Sequence, residues 1–163
     1  MTDNKGAFKF ETSDNRTPQQ KQDDIVKKME EDVWNIEFEK DIAVAKAKYP
    51  NKKLIFTNNL RGTGLRSFVC EYSGSGDEGM VDEITLEPES LKDELMPLSG
   101  YPSPPLKITE YIEEFLCETL LETFHGGWEI NDGQHGSLSW DYKTNEIEHK
   151  FTQLVPHEEA EIL

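Results

Sequence analysis

Two glycine-punctuated acidic segments hold most of the chain's candidate chemistry. One is Tyr72-Ser73-Gly74-Ser75-Gly76-Asp77-Glu78-Gly79, and the other is Gly126-Gly127-Trp128-Glu129-Ile130-Asn131-Asp132-Gly133-Gln134-His135-Gly136. Glycine clusters mark sharp turns and close backbone approaches, and binding or catalytic groups are often carried on turns between regular elements. Hard cations such as Mg or Ca take oxygen ligands from carboxylates and carbonyls. Asp77, Glu129 and Asp132 are therefore the candidate metal set, with Asn131 as a neutral ligand and His135 as a proton acceptor or softer ligand. Glu78 and Trp128 complete the motif residues. Against catalysis, no Lys or Arg lies within either motif to stabilise an anionic transition state. The spacing is also not that of an EF-hand loop. The plainer alternative is that Asp77 and Asp132 accept hydrogen bonds from turn amides.

A second candidate surface is acidic alone. Glu110, Glu114, Glu118 and Glu122 recur every four residues, with Glu113 beside them, and no Lys or Arg follows Lys107 in this segment. Like charges at that spacing repel by about 0.2–0.5 kcal/mol per pair on an isolated helix. On a regular helix they would form a row with steps of roughly 6 Å, comparable to a nucleic-acid phosphate repeat. Such a row suits the basic groove of a nucleic-acid enzyme, although an acidic face also serves solubility.

The overall charge favours a cationic partner. Through Arg66 the chain carries 13 Lys/Arg against 11 Asp/Glu; beyond it, 4 against 22, for a formal total of −16. Direct nucleic-acid or anionic-membrane binding by the last two-thirds is disfavoured, whereas a basic protein or a cation is compatible. Cys70 and Cys117 are far apart and outside any Cys-x-x-Cys pair, so they read as buried thiols rather than zinc ligands. The N-terminus lacks a signal-like apolar stretch and no run is long enough to span a bilayer, which makes a cytoplasmic setting the expectation.

The elements that position these groups are legible from periodicity. Residues 1–16 read as a flexible arm, 17–155 as one domain and 156–163 as a loose tail. Thr17-Pro18-Gln19-Gln20 has capping-box spacing and starts a helix. Ile25, Met29, Val33 and Ile36 form its apolar stripe, with Phe38, Ile42, Ala45 and Tyr49 on a shifted one. That stripe either covers a sheet or mediates assembly. Proline disfavours helix at the residue before it, so the helix is expected to end ahead of Pro50. Strands are expected at 53–57, 66–72 and 80–86, the last two joined as a wide hairpin across the first motif. Residues 87–105, rich in proline, read as a loop with a helical turn near 91–95. A second helix, capped by Thr109, places Ile112, Phe115, Leu116, Leu120 and Phe124 on one face and ends at His125-Gly126-Gly127. A final hairpin pairs 137–142 with 146–151. The fold expected is α+β, order αβββαββ: an antiparallel sheet of about five strands with the long helix and the second helix packed on it. Trp34, Trp128 and Trp140 are expected as core or edge-packing groups, Trp128 fixing the second motif at the helix end.

The segment from about Phe68 to Phe151 resembles an uncharacterised domain family of bacteria and phages, often carried on mobile elements. The matching residues are Gly74, Ser75, Gly76, Asp77 and Gly79, then Gly126, Gly127, Trp128, Glu129, Asp132, Gly133 and Gly136. Ser73 stands where the family commonly has Asp, Glu78 where it has Ser, and Ile130 where it has a polar residue. The missing Asp weakens a metal role for the first loop. The resemblance implies a mobile-element setting and no established activity. Combined with the charge, it leads to the expectation of a non-enzymatic acidic binding or inhibitor protein engaging a basic partner, a nucleic-acid mimic in anti-defence being one form of it. A metal-dependent hydrolase or metal-binding domain is the alternative.

Overall fold

The computed structural model describes residues 14–97, 105–130 and 133–154. The expected N-terminal arm and C-terminal tail fall almost entirely outside these residues, as do Asn131 and Asp132. The chain divides into two compact units, Met1–Asp41 and Ile42–Leu163.

Helix α1 runs from Pro18 to Arg61. Its start is the expected capping box: the Thr17 amide donates to Gln20 Oε1 at 2.8 Å, and the Gln20 amide to Thr17 Oγ1 at 3.2 Å. Its end is not where Pro50 placed it, because the helix continues through the proline. Tertiary packing explains the override. Ile42, Ala45, Tyr49, Phe56 and Leu60 keep helical spacing across Pro50, with Phe56 and Leu60 fully buried. The Phe56 ring stacks on Phe115 at 3.9 Å, and Asn59 Nδ2 donates to the Tyr111 hydroxyl at 2.9 Å. These contacts offset the amide hydrogen bond that proline cannot donate. Residues 53–57 are consequently helix rather than the first of five strands.

The sheet has four strands among the described residues: β1 (Ser67–Ser75), β2 (Glu78–Glu87), β3 (Gln134–Asp141) and β4 (Glu146–Gln153). Their spatial order is β2-β1-β3-β4 and every pairing is antiparallel. The first hairpin is tight rather than wide. Strand pairing runs to Ser75↔Glu78, leaving Gly76 and Asp77 as the two turn residues, both at positive φ (60° and 68°). That geometry matches the twist of the strands it joins.

Helix α2 (Ile108–Glu114) continues into a π-helical stretch, Phe115–Leu121, and a final α turn, α3 (Glu122–Phe124). The cap lies two residues before Thr109: the Lys107 amide donates to Glu110 Oε2 at 2.8 Å. Burial in the π stretch steps by five, Phe115 to Leu120 and Leu116 to Leu121, in keeping with its wider turn. The shift leaves Phe124 44 % exposed and buries Leu121 instead. The expected turn near 91–95 is a short 3-10 helix at Glu89–Leu91.

Within Ile42–Leu163 the helices cover one face of the sheet. Phe68, Cys70 and Tyr72 of β1 alternate inward, as do Leu138 and Trp140 of β3, meeting Ile108, Ile112, Leu116 and Leu121 in one core. No described helix is long and apolar enough to cross a membrane.

Candidate functional site

The two glycine motifs meet at one end of the sheet. The Asp77 amide donates to the Glu129 carbonyl at 2.9 Å, tying the hairpin tip to the segment that leaves α3. Gly74 and Gly79 face each other across the hairpin, and the Trp128 indole lies over both. A Cβ on Gly74 would sit 2.8 Å from Trp128 Cε3, and one on Gly79 2.3 Å from Cη2. Gly133 closes the junction, with the position of its absent Cβ only 1.6 Å from the Gly74 carbonyl oxygen. These glycines are thus explained by close packing, and Trp128, expected across the helix end, rests on the hairpin of the first motif. It also meets the Tyr72 ring edge-on at 5.4 Å.

Among the described residues no three His, Cys, Asp or Glu side chains are placed to hold a metal ion. Asp77 and Glu78 occupy the exposed hairpin tip, Glu129 is half-buried, and Asp132 lies outside the described residues. Glu129 Oε2 is buried and has no hydrogen-bond partner among the described residues. His135 is separated from this junction by strand alternation: Gln134 turns inward and His135 outward. It lines a shallow depression of about 570 Å³ on the outer face of the sheet with Glu71, Asp82 and Lys150.

Beneath the junction lies a polar cluster that sequence spacing did not reveal. Gln134 Nε2 donates to the Tyr72 hydroxyl at 2.6 Å, and that hydroxyl lies 2.7 Å from His149 Nε2. With Gln134 donating, the Tyr72 hydrogen is free to point at His149 Nε2, which must then be unprotonated. His125 packs edge-on to His149 at 4.9 Å. Burial, and secondarily His125, pushes the His149 pKa down to about 4. One signal was present: alternation in β4 puts Ile147 and His149 on the covered face.

The sign of this shift fixes a pH dependence. An unfolded chain protonates His149 near its ordinary 6.5, whereas the folded chain resists until about 4. The stabilising contribution is full above about 6.5 and is lost as pH falls toward 4. Thermal melts between pH 7.5 and 4.5 should therefore show a smaller acid-induced drop for His149→Gln than for the parent. Parallel curves for the two proteins would refute the assignment.

The thiols are not nucleophiles at neutral pH. Burial pushes Cys70 up to about 12 and Cys117 up to about 11, so neither forms appreciable thiolate.

The glutamate surface is bare. Glu110, Glu113, Glu114, Glu118 and Glu122 are all exposed, and none forms an ion pair among the described residues. Lys52 of α1 lines a shallow pocket with Glu114 but makes no ion pair with it. The even four-residue row is corrected in one respect: the π-helical stretch lies between Glu114 and Glu122, so the steps are not those of one regular α-helix.

Ile42–Leu163 is thus a two-layer α+β domain whose glycine motifs lock a hairpin to a helix end. By sequence the chain belongs to the family of unknown function DUF6878, whose profile matches residues 47–161. That match begins inside α1, about twenty residues earlier than the motif resemblance suggested. Nothing among the curated proteins or the solved structures matches the chain.

Proposed function

We propose that the domain is a non-enzymatic binding module that presents its glutamate surface to a basic protein. The observation that carries this reading is the exposure of five carboxylates along Glu110–Glu122, none ion-paired among the described residues. Their mutual repulsion weakens the helix in isolation, and cationic groups of a partner would relieve it. On a phage or other mobile element, such a module would act as an inhibitor by occupying the basic groove of a host nuclease. The interrupted row suits the lysines and arginines of a particular groove better than imitation of an evenly repeating phosphate chain.

The test is affinity capture from the source cell with the parent protein and with Glu114→Lys/Glu118→Lys. The parent should enrich a basic protein, and the double variant should reduce that enrichment tenfold or more, about 1.4 kcal/mol. Both side chains are exposed, so the melting temperature should hold. Undiminished capture by the folded variant would end this reading.

A second reading is favoured by the orphaned Glu129 Oε2 beside the Asp77 turn. A divalent cation at the loop junction would satisfy that oxygen, with Asp77 and Asp132 as further ligands. Calorimetry and melting with millimolar magnesium, calcium or manganese should then show heat and a rise in melting temperature, both absent in Glu129→Gln. No heat and no stabilisation with any of the three would remove it.

A further inference from the structure

The first compact unit carries an apolar seam that the family domain does not include, since the family match begins at residue 47. Val26, Met29, Val33 and Ile36 are 48, 62, 56 and 53 % exposed. They recur at alternating steps of three and four, the spacing by which one helix packs along another. A groove of about 540 Å³ runs beside them, walled by Trp34, Glu30 and Glu37. The Trp34 ring, 61 % exposed, stacks on Phe38 at 5.2 Å. Exposed aromatic anchors of this kind concentrate binding energy when covered.

Charge decides what covers the seam. At helical spacing Glu30 and Glu37 flank one side of it, and Asp32 and Glu39 flank the other. None of these four carboxylates is in an ion pair among the described residues; the cations of this stretch are Lys27 and Lys28, which helical spacing puts away from the seam, and Lys40 at its C-terminal end. A second copy is a poor occupant. Parallel pairing sets Asp32 against Glu37, and antiparallel pairing sets Glu30 against Glu30 and Asp32 against Asp32. A helix with basic flanks is complementary on both sides.

We propose that residues 25–39 dock an amphipathic helix of another protein, apolar along its seam and rich in lysine or arginine on both flanks. The seam from Ile25 to Ile36 is about 17 Å long at 1.5 Å per residue, so about two heptads of partner suffice. This inference is independent of the glutamate surface, which belongs to the other unit.

The test titrates the full chain into two labelled synthetic helices, read by fluorescence anisotropy. Both peptides have three heptads with leucine at the seam; one carries lysine at every flanking position and the other glutamate. The lysine peptide should bind at least tenfold tighter than the glutamate peptide, and its affinity should fall as salt rises. Met29→Glu/Val33→Glu should abolish that binding, and Trp34→Ala should weaken it tenfold or more, with the thermal transition of the domain unchanged. Glu114→Lys/Glu118→Lys should leave it intact, which separates this surface from the glutamate surface. Equal affinity for the two peptides, or no binding of the lysine peptide, would overturn the proposal. So would sedimentation showing a parent dimer that Val33→Glu dissolves, since a second copy would then fill the seam.

Discussion

Gly133→Ala is expected to destabilise the domain by about 2–5 kcal/mol, adding a left-handed backbone cost of about 1–2 to a packing cost of about 1–3. Gly133 has φ of 71°, and its missing Cβ would fall 1.6 Å from the Gly74 carbonyl oxygen and 2.4 Å from the carbonyl carbon. A side chain could rotate away from such a contact, but these atoms are backbone of β1, which pairs on both sides with β2 and β3. Relief would require breaking the pairing near Gly74↔Gln134. Gly64→Ala supplies the control: its φ of 85° is equally unfavourable for alanine, yet nothing lies within 4 Å of the added carbon. Urea or thermal unfolding should thus show a small loss for Gly64→Ala and a severe one for Gly133→Ala. Equal losses would mean that the two motifs are not in the contact described.

Trp128→Ala should cost about 2–4 kcal/mol, less than the about 3–5 of fully buried aromatic truncations because the indole is only half-buried. The informative measurement is its coupling to Gly79→Ala. In the parent, the new methyl would press on the indole at 2.3 Å, and overpacking of that kind costs about 1–3 kcal/mol. Gly79 lies in strand β2, where alanine fits the backbone, so with the indole removed the same substitution should be neutral to within about 0.5 kcal/mol. A double-mutant cycle with no coupling would show that the ring does not rest on the hairpin.

Some local signals in the sequence reported local structure, and others, such as the Thr109 cap and the strand at 53–57, did not. The capping box at Thr17 and Gln20, the places of both hairpins and the presence of the second helix follow from nearest neighbours in the chain. What could not be read locally is where distant packing outweighs a local preference. Pro50 should end a helix, but the aromatic stack of Phe56 on Phe115 lies 59 positions apart in sequence and carries the helix onward. The π-helical stretch has no simple periodicity signal, which is why Phe124 rather than Leu121 was placed on the covered face. At the junction, glycines and acids in one loop suggested ligand chemistry, whereas the glycines are required by an indole and a carbonyl that only the folded topology brings to them. The Tyr72–Gln134–His149 cluster joins three strands, and only the alternation of β4 hinted at it. Trp34 stands furthest from expectation, since it is exposed on the first unit and not part of any core.

The π-helical stretch has a consequence for how these motifs came to be aligned. Seven residues wound more widely than α amount to one spliced into a helix whose ordinary pitch is kept on either side. Excising a single residue between Phe115 and Leu121 would rewind the segment to α and leave the turns after it in nearly the same phase, because the wider winding absorbs the extra residue. The same excision in the regular turns of Ile108–Glu114 would instead rotate Gly126 and Trp128 by about 100°, away from the hairpin, although neither had been altered. The irregularity therefore acts as a phase buffer: loss of a residue is tolerated inside it, and outside it the same loss should keep the lock from closing.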